Sequence, residues 1–148
     1  KGEEADNMML GSLLAGLAFS NASLGIVHAM AHALGGFLDL RHGECNAILL
    51  EHAVNYNYES AHEKYNDLAS AMGIETKGMT DSQIKNALTE SIGKLRYDSG
   101  IRHGFSALGL KKDEIPFLAD YALSDICIVT NPREALKSEI EELYVAAF

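Results

Sequence analysis

The sequence predicts an all-α fold, a compact bundle of about six to seven helices, on three observations. Apolar residues recur at one-turn spacing in segment after segment, as in Ile84, Leu88, Ile92 and Leu95. No stretch alternates apolar and polar residues as a half-buried strand would. Helix starts and stops punctuate the chain, among them the capping-box pattern Thr80-Asp81-Ser82-Gln83 and the stop at Gly73. With 148 residues, 47% of them hydrophobic, residues 1–148 suffice for one core and read as a single helical domain.

Taken in order, Lys1 to Asn7 is polar, and Met8 to Phe19 is apolar nearly all round, the pattern of a central, buried helix. The next helix runs from about Leu24 to Leu38. A third spans Glu44 to about Tyr56, and a fourth Glu59 to Met72, ending at Gly73. After a loop to Met79, the capping box opens a helix with Ile84, Ala87, Leu88, Ile92 and Leu95 on one face. Lys111 to Ser124 forms another, with Pro116 in its first turn, where a missing N–H is harmless. The last starts at Pro132 and turns Ile140, Leu143 and Tyr144 inward.

Chemistry concentrates in the second helix. His28 and His32 lie one turn apart on one face, and His42 follows at the mouth of the third helix. Three imidazoles that converge suit a metal site or a proton relay. From Met8 to Leu38 no Asp, Glu, Lys or Arg occurs, so these histidines are expected inside the protein. A helix start at His42 disfavours imidazolium there and keeps the ring a neutral ligand. Gly35-Gly36 in the same helix leaves two readings open: close packing, or backbone room beside a ligand.

Composition excludes several classes. The net charge of −9, from 21 acidic and 12 basic residues, argues against nucleic acid and anionic membrane surfaces. The charge-free run is long enough to weigh a membrane span, but its Ser, Asn and His residues suit two buried helices better. Cys45 and Cys127 form no CxxC pattern, which fits a reduced, cytoplasmic compartment. No signal peptide is visible, and the start at Lys1-Gly2-Glu3 reads as a truncated, processed or excised piece. Cys45 reads as core, His62 and His103 as surface residues, and Tyr56 and Tyr58 as rim or core. His52 belongs to no constellation.

The pattern Gly25-x-x-His28-x-x-x-His32-x-x-Gly35, with His42-Gly43 ten residues beyond His32, resembles the signature of the iron-containing alcohol dehydrogenases. The flanks 18–25 and 42–50 agree, and Asp125-Ile-Cys127-Ile-Val-Thr-Asn131-Pro-Arg133 is similar to that family's closing motif. The likeness runs from about residue 8 to the end and covers only the family's C-terminal part. It implies metal binding by His28 and His42, and a catalytic place for His32 beside substrate and nicotinamide. It also implies that Phe19 and Cys127 line a substrate channel, although a buried cysteine is more often ordinary core. The implied cofactors are Fe²⁺ (or Zn²⁺) and NAD or NADP, and the implied reaction is reversible hydride transfer from an alcohol to give an aldehyde or ketone.

The family completes its metal shell with an Asp and a His from an upstream motif. Here Asp6 is the only Asp before the histidine pair, and no His precedes His28. A glycine-rich phosphate-binding turn after a strand is also absent from the sequence, so the N-terminal dinucleotide-binding domain is expected as a separate, missing partner. Ala33 and Arg41 stand where many relatives carry Pro. The expectation is half an active site, inactive alone, in a homo-oligomeric parent. A stand-alone helical metal-binding or protein-interaction module without catalysis is the rival reading.

Overall fold

The computed structural model describes residues 2–148 and contains seven α-helices and, among the described residues, no strand. Helix α1 (Gly2–Ala22) leads into α2 (Ile26–Leu38), α3 (His42–Asn57), α4 (His62–Ala71) and α5 (Asp81–Asp98). Helices α6 (Ile115–Ser124) and α7 (Lys137–Ala146) follow, and short 3-10 turns occupy 58–60, 105–108, 112–114 and 126–130. The all-α expectation holds.

Helix α2 is the axis of the core. It buries Ile26, Ala29, Met30, Ala31 and Leu34 against α3 and α6. Four of those five recur at helical spacing, so one face is committed to packing and the other is left free for the histidines. Tyr144 of α7 is fully buried and donates its hydroxyl to the Met30 carbonyl at 2.8 Å. Burial drives its ionisation far above the usual tyrosine range. A second, smaller cluster, Val54, Ala69, Ile84, Leu88 and Ile92, joins α4 and α5 to α3. The capping box forms as expected: Thr80 Oγ1 accepts from Gln83 N–H, and Gln83 Oε1 accepts from Thr80 N–H.

Several expectations require correction. Helix α1 is not a central buried helix, because it buries no residue. Met8, Met9, Leu10, Leu13, Leu14, Leu17 and Phe19 are all at least half exposed. Its apolar girth demands a cover, and the described residues do not supply one. For the same reason the histidines are not interior: His28 is half-buried, while His32 and His42 are exposed. Leu95 is also exposed, beside an apolar groove of about 400 Å³ lined by Leu50, Val54, Leu68, Met72 and Ile92. The fourth helix is shortened by the turn at 58–60, and the last starts at Lys137 rather than Pro132. There the chain is held extended by remote partners: Arg133 pairs with Glu139 and lies 4.0 Å from the Tyr56 ring centre. His103, expected at the surface, is partly buried with Nε2 3.0 Å from Glu44 Oε1.

No single helix is long and apolar enough to cross a membrane; α1 and α2 meet that test only as a pair, bent by 103°. The bend falls at Ser23, whose φ is +63°.

Burial lowers the pKa of His28 and of His52, with the neighbouring His42 and His32 adding to the effect at His28 and Arg96 at His52. Such a group prefers its proton in the unfolded chain, whose value is about 6.5. Stability from these two residues is therefore full above that pH and is lost as pH falls below it toward the folded values. The urea midpoint should decline between about pH 7 and about pH 5. His52→Gln should flatten part of that decline, and a midpoint constant across the range contradicts the assignment.

Candidate metal centre

Helix α2 begins with a difficulty. Gly25 at its N-cap has no side chain to accept the free N–H groups of the first turn. The cap comes from elsewhere: Asn131 Oδ1 accepts from Ile26 N–H at 3.1 Å. The same amide exchanges two hydrogen bonds with Asn57, both 2.9 Å, and donates to the Arg133 carbonyl at 2.6 Å. Thr130 adds a hydroxyl bond to the Leu24 carbonyl at 2.6 Å. A Cβ at Gly25 would lie 3.0 Å from Asn131 Oδ1, so the glycine opening the motif makes room for this remote cap. His28 follows in the first turn, its N–H donating to the Gly25 carbonyl at 3.0 Å. The closing motif is therefore the brace that positions the first histidine.

Helix α3 starts at His42, with Arg41 as its N-cap. The three imidazoles come together: ring centres are 5.3 Å apart for His28 and His42, 5.1 Å for His32 and His42, and 6.0 Å for His28 and His32. Asn46, one turn into α3, donates its amide Nδ2 to His42 Nε2 at 2.9 Å and to His28 Nε2 at 3.3 Å. With the amide in this orientation both Nε2 atoms are acceptors, and they meet at a single point. Asn46 Oδ1 is buried and has no hydrogen-bond partner. Leaving that oxygen unpaired costs about 1–3 kcal/mol. Two bare imidazole nitrogens converging on one donor suit Fe²⁺ or Zn²⁺, with further ligands still required.

A second donor set lies beside the first. One potential ligand atom each from His32, Asp125 and Cys127 falls within 4.8 Å of the others. These atoms are already engaged. Asp125 Oδ2 sits 2.9 Å from His32 Nδ1, and Asp125 Oδ1 accepts from Cys127 N–H at 2.8 Å. Against the opposing effect of burial, these hydrogen bonds hold the Asp125 carboxyl below the usual carboxylate range. Burial and the Asp125 carboxylate push the Cys127 thiol up, which disfavours the thiolate a metal needs. The Nε2 pair is the better candidate, with both nitrogens meeting at one donor.

Two clefts adjoin the cluster. His32 lines one of about 290 Å³ with Ala33, Gly36, Phe37, Phe117 and Tyr121. His28 lines another of about 560 Å³ with Gly43, Asn46, Asn57 and Asn131 among its neighbours. A Cβ at Gly36 would meet nothing within 4 Å, so close packing does not account for glycine at that position. Cys127 is buried beside His32, whereas Phe19 lies half exposed on α1 and lines neither cleft. Sequence reasoning missed Asn46 and Asp125. Asn46 had a local signal, its position one turn beyond His42. Asp125 stood only as the first residue of the closing motif, and nothing local tied it to His32, 93 residues away.

Comparison with known proteins identifies the family and the fold. The profile of the Fe-containing alcohol dehydrogenase family, C-terminal, matches residues 2–148. Lactaldehyde reductase of Escherichia coli K12 is 44% identical over 146 residues, covering 99% of this chain and 38% of the relative. The 1,3-propanediol dehydrogenase of Citrobacter freundii is 43% identical, covering 97% and 37%. The crystal structure of a 1,3-propanediol oxidoreductase superposes with a TM-score of 0.90 at 42% identity, over 93% of this chain and 36% of that one. The chain thus spans well under half the length of these relatives. It belongs to the Fe-containing alcohol dehydrogenase family and corresponds to that family's C-terminal helical domain.

Proposed function

We propose that this chain supplies the metal-holding half of an NAD(P)-linked alcohol dehydrogenase that interconverts a small alcohol and its aldehyde or ketone. The observation that carries the reading is the convergence of His28 Nε2 and His42 Nε2 on one point, occupied by the Asn46 amide. His28 and His42 would hold the metal, Fe²⁺ or Zn²⁺, which when bound supplies Lewis acidity to the alcohol oxygen. Burial keeps His28 neutral and therefore able to ligate. His32, stacked on His42 and lining the aromatic cleft, would contact substrate and accept the alcohol proton. Cys127 lies beside His32 and would border that place. The remaining metal ligands and the nicotinamide-binding turn would come from the portion present in the longer relatives, packed against the apolar surface of α1. The activities of the lactaldehyde reductase and 1,3-propanediol dehydrogenase relatives point to short hydroxylated aldehydes and diols as the substrate class.

The test is turnover. This chain alone, with Fe²⁺ or Zn²⁺, a short diol and either nicotinamide, should produce no reduced cofactor. The full-length parent should produce it, and His32→Ala there should slow kcat by roughly 10²–10⁴-fold. Protein-dependent cofactor reduction by the chain alone, or no effect of His32→Ala, would sink the proposal.

A further inference from the structure

We infer that Asp125 is a positioning residue that fixes the tautomer and orientation of His32. The 126–130 turn is capped by Asp125 Oδ1, which accepts the Cys127 N–H at 2.8 Å. That cap uses one oxygen only. Oδ2 is spare, and it lies 2.9 Å from His32 Nδ1. The side chain of Asp125 is 20% exposed and that of His32 42%, so the carboxylate is the fixed member and the ring is the one being held. A carboxylate that already accepts a backbone N–H can only accept from the ring as well, so Nδ1 carries the hydrogen. The neutral ring then has a bare Nε2. A histidine in this state accepts a proton at Nε2, and in the other tautomer it would donate there. The consequence for catalysis rests on the role proposed above for His32, because an alcohol losing its proton needs the accepting form.

Asparagine at 125 separates this role from simple capping. Its Oδ1 keeps the Cys127 bond, and its NH₂ takes the place of Oδ2, turning an acceptor for His32 into a donor. The ¹⁵N-labelled chain is measured by long-range ¹H–¹⁵N correlation in basic buffer, where imidazoles are neutral. The His32 signals are identified by their loss in His32→Gln. The wild type should show the proton on Nδ1, and Asp125→Asn should move it to Nε2. Asp125→Ser, which keeps a capping oxygen and removes the second one, should abolish the preference and leave the tautomers mixed. A proton on Nε2 in the wild type overturns the inference even if no variant folds. So does an unchanged Nδ1–H form in a folded Asn or Ser variant. Turnover plays no part in this readout, so a failed proton-transfer role for His32 and a failed positioning role for Asp125 give different results.

Discussion

His28→Ala and His42→Ala should each weaken Fe²⁺ or Zn²⁺ binding by well over the ~10²-fold that loss of an outer-shell partner can cost. Each removes one of two nitrogens that meet the same amide donor, so under the proposed assignment each deletes a direct ligand. In a small shell the remaining ligand cannot compensate, because water must fill the vacated position. His32→Ala should keep the metal, since the nitrogens that meet at the Asn46 amide are those of His28 and His42 and not of His32. If the three rings were only part of the packing, all three variants would lose stability and none would lose metal per folded molecule. Metal content and thermal stability, measured on the same preparations, separate the cases. Equal metal loss in His32→Ala and His28→Ala would overturn the division of roles.

Asn131→Ala should destabilise the fold by about 3 kcal/mol, a large share of the roughly 5–15 kcal/mol typical of a domain. Three partners lose their bonds at once: the Ile26 N–H, the Asn57 amide and the Arg133 carbonyl. Asn57 is only 5% exposed, so water cannot replace the two bonds its amide loses. The damage should reach the site, because His28 sits in the helix turn that Asn131 caps. Gly25→Ala should act in the same direction by crowding Asn131 Oδ1. A denaturation curve for Asn131→Ala that matches the wild type would show that the motif does not brace α2.

The parts of this structure that local pattern can encode were legible in the sequence. The capping box at Thr80, the core face Ile84, Leu88 and Ile92, and the packed face of α2 all follow from spacing within one helix. The meeting of His28, His32 and His42 was legible too, because a helix and the next helix start bring them near with little freedom. What failed was everything set by distant partners. The extended run before Lys137 is held by Arg133, Glu139 and Tyr56, so a helix pattern starting at Pro132 was misleading. Burial of α1 was predicted from its apolar girth, but girth states only that a helix must be covered and not by what. Asp125 was legible as part of a motif, but its action on His32 across 93 residues was not.

X-ray absorption at the zinc edge, on this chain saturated with Zn²⁺, tests the central claim most directly. Ligation by His28 and His42 predicts a shell of nitrogen and oxygen alone at about 2.0–2.1 Å, with imidazole scattering that falls in His28→Ala. A sulfur at about 2.3 Å would instead place Cys127 in the shell, with His32 and Asp125, and would contradict the assignment.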